Sequence, residues 1–136
     1  MYSVVREIHF SYGHRLMDYA GPCRHPHGHN GRVEVELSRA RLNRLGMVMD
    51  FDEIKKRLQT WVDGHLDHRM ILRRDDPLVG VLKEMHEPLY LLTENPTAEA
   101  IAREIFRVAA AQGLPVTRVT FWETERSQAT YRAAAR

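Results

Sequence analysis

The residues best suited to chemistry crowd into one stretch. Cys23 is the sole cysteine, and His25, His27 and His29 follow it closely. Zinc takes imidazole nitrogen and thiolate sulfur, and catalytic zinc sites use three protein ligands and leave one position open. His27-Gly28-His29 leads into GRVEVELS (31–38), where Val33, Val35 and Leu37 alternate with Arg32, Glu34 and Glu36. That alternation predicts a half-buried strand. Residues two apart on a strand share a face, so His27 and His29 should aim together, on the parity of Val33 and Val35. Alone, an HxH pair is more often two solvated loop histidines. A neighbouring thiol and a second polar cluster favour a metal here. The expected third ligand is His14, at the end of the first strand and on the parity of Ile8, Phe10 and Tyr12. His9 has the opposite parity, and His25, between Arg24 and Pro26, reads as a loop residue.

Cys23 sits in a polar, Gly/Pro-flanked loop, GPCRHPHGH. A free cysteine is usually a small buried hydrophobe. Beside Arg24 and a divalent cation its thiolate would be favoured. Spacing alone leaves it open whether such a thiolate is a ligand, a nucleophile or a base. Asp67-His68 follows the first helix. An Asp beside a His is common, yet Asp, His and Cys are the parts that activate a thiol, the Asp orienting an imidazole that handles protons. Glu123 falls on the parity of Val119 and Phe121, the inward face of its strand. A buried carboxylate is costly unless paired. Either a register shift or a strand end exposes it, or it anchors a ligand offering adjacent N–H donors, such as a guanidine-like heterocycle edge.

The elements that must position these groups are those of one domain, residues 1–136. Apolar residues make up 43% and charged residues 28%, an ordinary globular balance. A net charge of +2 is too small to argue for nucleic acid. No apolar run approaches a membrane span, and MYSVVREIHF lacks a signal-peptide core, so a cytoplasmic setting is expected. One cysteine rules out an internal disulfide and fits that reducing compartment.

Strands are expected over 2–10, 31–38, 116–125 and 128–133. One helix begins at Asp50 with a capping-box-like Glu53 and stops near Gly64; a second opens at Asn95-Pro96-Thr97 with Pro in its first turn and ends at Gly113-Leu114-Pro115. This order predicts an α+β fold, a four-stranded antiparallel sheet with two helices packed on one face. Residues 13–30 form a long connection of the kind that carries function. The two sheet edges invite oligomerisation.

Six segments, FSYGHRL (10–16), CRHPHGH (23–29), MVMDFDEIK (47–55), LDH (66–68), NPTAE (95–99) and WET (122–124), run through nearly the whole chain. Together they resemble the 6-pyruvoyltetrahydropterin synthase / 6-carboxytetrahydropterin synthase family of tunnelling-fold enzymes. The resemblance implies zinc on His14, His27 and His29, and Cys23 as the catalytic thiol with Asp67 and His68 as proton-transfer partners. It implies pterin contacts at Glu123, Thr97 and Glu99. The substrate would be 7,8-dihydroneopterin triphosphate, and the assembly a homohexamer of two trimers with active sites between subunits. The Cys-x3-His-x-His spacing resembles the carboxytetrahydropterin branch, which serves queuosine synthesis. The pyruvoyl branch, a related side-chain lyase and a non-catalytic zinc or pterin binder are the competing readings. Arg15, Arg24 and Arg32 are candidates to meet the triphosphate, with nothing to choose among them. The stretch 69–94 is longer than the family's short connection.

Overall fold

The computed structural model describes residues 1–134. Two long strands, β1 (Tyr2–His14) and β2 (His27–Arg39), form an antiparallel ribbon in continuous register. Pairing therefore continues through Ser11–His14, beyond the apolar alternation that marked residues 2–10. The remaining elements are α1 (Phe51–His65), β3 (Arg69–Arg73), α2 (Leu78–Glu84), β4 (Leu89–Leu92), α3 (Ala98–Ala111), β5 (Val116–Thr124) and β6 (Ser127–Arg132). The fold is α+β. Among the described residues its sheet has six strands in the order β4-β3-β1-β2-β5-β6, not four, and the fold has three α-helices, not two. It is also mixed, because β3 runs parallel to both β1 and β4. Both extra strands and α2 lie in the stretch 69–94. β3 is covered on both faces, with Ile71 and Leu72 fully buried, so it shows no polar–apolar alternation.

The helix ends depart slightly from expectation. Asp50 caps α1 by accepting from the Asp52 N–H at 2.8 Å, while Glu53 pairs with Arg57 instead of returning to the cap. α1 runs through Gly64. Thr97 caps α3, its hydroxyl accepting from the Ala100 N–H at 3.2 Å, which leaves Pro96 outside the helix. Gly113, at φ +79°, adopts the left-handed conformation that closes that helix.

The core joins one sheet face to the helices. Ile8 and Phe10 of β1, Val33, Val35 and Leu37 of β2, and Val119 and Phe121 of β5 meet Ile54, Leu58 and Val62 of α1 and Ile101, Ala102 and Ile105 of α3. Gly31 allows a close approach within this core. A Cβ there would stand 2.8 Å from the buried Phe121 ring, which packs against Tyr12, itself beside the rings of His14 and His29. No described helix is long and apolar enough to cross a membrane.

A buried ion pair ties the connection after β1 to the turn before α2. Asp76, only 3% exposed, accepts two hydrogen bonds from the Arg15 guanidinium, one of them from Nε at 2.8 Å, and a third from the Leu78 N–H at 2.8 Å. The guanidinium is the main reason its carboxyl is held below the ordinary value. A depressed carboxyl contributes stability above the unfolded-state pKa, about 3.9, and that contribution is lost as pH falls through the folded-state value. Asp76→Asn is thus expected to cost about 3 kcal/mol at neutral pH, because it leaves Arg15 unpaired. In denaturant titrations the gap between variant and wild type should narrow below about pH 4. A gap independent of pH would show that the charge contributes nothing.

Candidate metal centre and thiol cavity

The β1–β2 register assembles the histidines. His14 pairs opposite His27 and Tyr12 opposite His29, all on the helix-facing side of the sheet. The imidazole centroids lie 4.6 Å (His14–His27), 5.1 Å (His14–His29) and 4.9 Å (His27–His29) apart. Two backbone carbonyls orient the rings. His14 Nδ1 lies 2.8 Å from the Pro96 carbonyl oxygen, and His27 Nδ1 lies 2.7 Å from that of His25. A carbonyl oxygen only accepts, so each Nδ1 carries the proton and each Nε2 keeps its lone pair. Those two Nε2 atoms face each other at 3.0 Å. With no proton between them, the two lone pairs are placed to share a cation.

His29 Nε2 completes the group. It is buried without a hydrogen-bond partner among the described residues, although Glu123 Oε1 stands 3.0 Å away. One ligand atom from each of His14, His27, His29 and Glu123 lies within 4.8 Å of the other three. Burial lowers the pKa values of His14 and His29, outweighing the opposing pull of Glu123, and so keeps both rings neutral and able to ligate. Burial, reinforced by Glu123, likewise raises the Tyr12 phenol and keeps it protonated. Three imidazoles converging beside one carboxylate fit a divalent cation of the zinc type. The backbone carbonyls are the outer partners that commonly orient metal-bound histidines.

A cavity of about 250 Å³ opens beside this cluster. Its walls include His14, Leu16, Cys23, Thr97, Glu99 and Glu123. Cys23 is partly buried in a single 3-10 turn, Pro22–Arg24, and its carbonyl accepts from the Leu16 N–H at 2.9 Å. Asp67 and His68 lie elsewhere. Ser11, whose parity is opposite to that of the ligands, donates its N–H to Asp67 Oδ1 at 2.9 Å, and Asp67 Oδ2 meets His68 Nδ1 at 2.7 Å. Burial opposes the charge on Asp67, but the Ser11 N–H and His68 together hold its pKa below the ordinary value. The His68 side chain is 80% exposed, at backbone φ +57°, and borders a separate hollow with Ser11, Gly13 and Met70. One chain thus places five of the nine expected site residues on the wall of the thiol cavity and two more, His27 and His29, in the cluster with His14 and Glu123, and leaves the Asp67–His68 pair outside.

A family model described as 6-pyruvoyl tetrahydropterin synthase matches residues 3–134. The chain belongs to that family. Among similar proteins, the 6-carboxy-5,6,7,8-tetrahydropterin synthase of Rickettsia typhi is 35% identical, over 92% of this chain and 96% of its own. That of Rickettsia bellii is 37% identical over 91% and 95%. A solved uncharacterized protein from Wolinella succinogenes superposes with a TM-score of 0.83 at 28% identity, covering 98% of both chains. The 6-pyruvoyl tetrahydropterin synthase of Caenorhabditis elegans gives 0.73 at 27%, covering 98% of this chain and 96% of its own.

In this member of the 6-pyruvoyl tetrahydropterin synthase family, the three arginines considered for a triphosphate all have protein partners. Arg15 is taken by Asp76, and Arg24 donates to the carbonyls of Ala20 and Gly21. Arg32 stacks over the Trp122 ring at 4.2 Å, near Glu7 and Glu34. The roles of the Pro96 and His25 carbonyls are not legible in the sequence, since main-chain acceptors leave no residue-type signal. His25, a loop residue, contributes through its backbone carbonyl.

Proposed function

We propose that this chain is a zinc-dependent 6-carboxy-5,6,7,8-tetrahydropterin synthase, converting 7,8-dihydroneopterin triphosphate and one water to 6-carboxytetrahydropterin, acetaldehyde and triphosphate. The observation that carries the reading is the convergence of three imidazoles, one of which, His14, lies in the wall of the Cys23 cavity. Relatives named for this activity, at 35% and 37% identity, support the choice of branch.

His14, His27 and His29 would hold the zinc, which supplies Lewis-acid polarisation of the substrate's side-chain oxygens. Glu123, with Glu99 and Thr97 nearby, holds the N–H edge of the pterin and directs its side chain toward the histidines. Cys23 takes a proton from that side chain as general base. His68, oriented by Asp67, exchanges protons on the other side. Because the pair lies outside the Cys23 cavity of its own chain, it acts from a neighbouring copy within a homohexamer, in the cytoplasm.

The deciding assay is product analysis of the zinc-loaded protein with 7,8-dihydroneopterin triphosphate. Acetaldehyde with the carboxylated pterin is expected. A pyruvoyl product would favour the activity for which the Caenorhabditis elegans relative is named. Bound zinc without turnover would reduce the chain to a binding protein.

Glu123→Gln separates pterin from metal. A hydrogen bond to a charged group contributes about 1.5–3 kcal/mol, so KM should rise roughly tenfold or more while zinc content stays constant. Zinc loss at unchanged substrate affinity would make Glu123 a fourth ligand and close the open position.

A further inference from the structure

Residues 15–26 carry Cys23 between the two ligand-bearing strands, and their placement fixes where the thiol stands relative to the histidines. Side chains tether this segment at Arg15, to Asp76, and at Asp18, to Arg73 at 3.1 Å. Asn95 instead grips its backbone. Its Oδ1 accepts from the Met17 N–H at 2.9 Å and its Nδ2 donates to the Met17 carbonyl at 2.8 Å. Two antiparallel bonds to one residue fix the rotation of that backbone as well as its position. Leu16, the adjacent residue, donates its N–H to the Cys23 carbonyl. The thiol turn is therefore one residue from the clamp.

The other end of the linkage is the metal centre. Pro96, next to Asn95, supplies the carbonyl that orients His14. Thr97 donates its N–H to the Asn95 carbonyl at 2.8 Å and caps α3. Three consecutive residues thus hold the thiol loop, the His14 imidazole and the start of a packed helix.

We propose that Asn95 is a positioning residue that sets the Cys23 thiol against the histidine cluster. The inference rests on the reading of Cys23 as the reacting thiol, and its consequence for rate follows from geometry. A displacement of about 1 Å in a reacting group costs on the order of 100-fold in rate.

The test compares the zinc-loaded wild type with Asn95→Ala, which loses both bonds, and Asn95→Asp, which keeps the acceptor for the Met17 N–H. Three quantities are measured: zinc content, kcat and KM with 7,8-dihydroneopterin triphosphate, and the rate of Cys23 alkylation by iodoacetamide. Asn95→Ala should keep its zinc and its KM, lose about 100-fold in kcat, and alkylate several-fold faster. Asn95→Asp should fall between the two, and carries the same comparison should the alanine variant not fold. Wild-type kcat and alkylation in a folded variant would overturn the proposal. So would a loss of kcat matched by an equal loss of zinc, which makes Asn95 a structural residue only. Alkylation needs no turnover. A wild type that turns over nothing, yet whose thiol reactivity depends on Asn95, would refute the proposed reaction and leave the clamp standing.

Discussion

Cys23→Ala lowers kcat by about 10³-fold, within the range of a lost general base, while one zinc per chain remains bound. The expectation follows from where the side chains lie. Cys23 lines the cavity, but the ligand atoms that converge within 4.8 Å belong to His14, His27, His29 and Glu123. His27→Ala supplies the contrast. It removes one of the two facing Nε2 lone pairs, so zinc itself should be lost and activity with it. Elemental analysis of both variants reads the difference directly. Zinc lost from Cys23→Ala would turn the thiol into a ligand, and stoichiometric zinc in His27→Ala would overturn the metal site.

Mixing two dead enzymes should restore a live one. Cys23→Ala and His68→Ala are each expected to be inactive. After the two are co-refolded in equal amounts, activity should return to about a quarter of wild type, the random share of sites that combine an intact thiol with an intact histidine from another copy. The expectation rests on the separation seen within one chain: neither Asp67 nor His68 contributes to the cavity wall, and the His68 side chain is 80% exposed. No recovery in verified mixed oligomers would mean that each chain works alone and that its dyad has another task.

What could be read before folding was what period and residue type carry. The alternation of Val33, Val35 and Leu37 extends backwards to aim His27 and His29 together, and parity on the preceding strand singles out His14 over His9. The structure pairs His9 with Glu7 in solvent instead. β3 and β4 were not legible. RMILR and LYLL are short and lack alternation, and their parallel pairings, β3 with β1 and β4 with β3, leave no turn signal between partners. Nor could the separation of Cys23 from Asp67 and His68 be read, since it depends on which strand lies beside which. The arginines fail for the same reason. A guanidinium's partner is a matter of three-dimensional neighbours, and Asp76 is 61 positions from Arg15.

The pairing of His14 with His27 has an evolutionary consequence. One residue inserted into either strand between its apolar run and its histidines would turn ligands to the opposite face, so those strand lengths are under strict constraint. Residues 15–26 lie outside the ladder and escape it. Insertions there can relocate the thiol while the metal site stays whole. Lineages built on this scaffold are thus free to alter their proton chemistry without having to reinvent how they hold an ion.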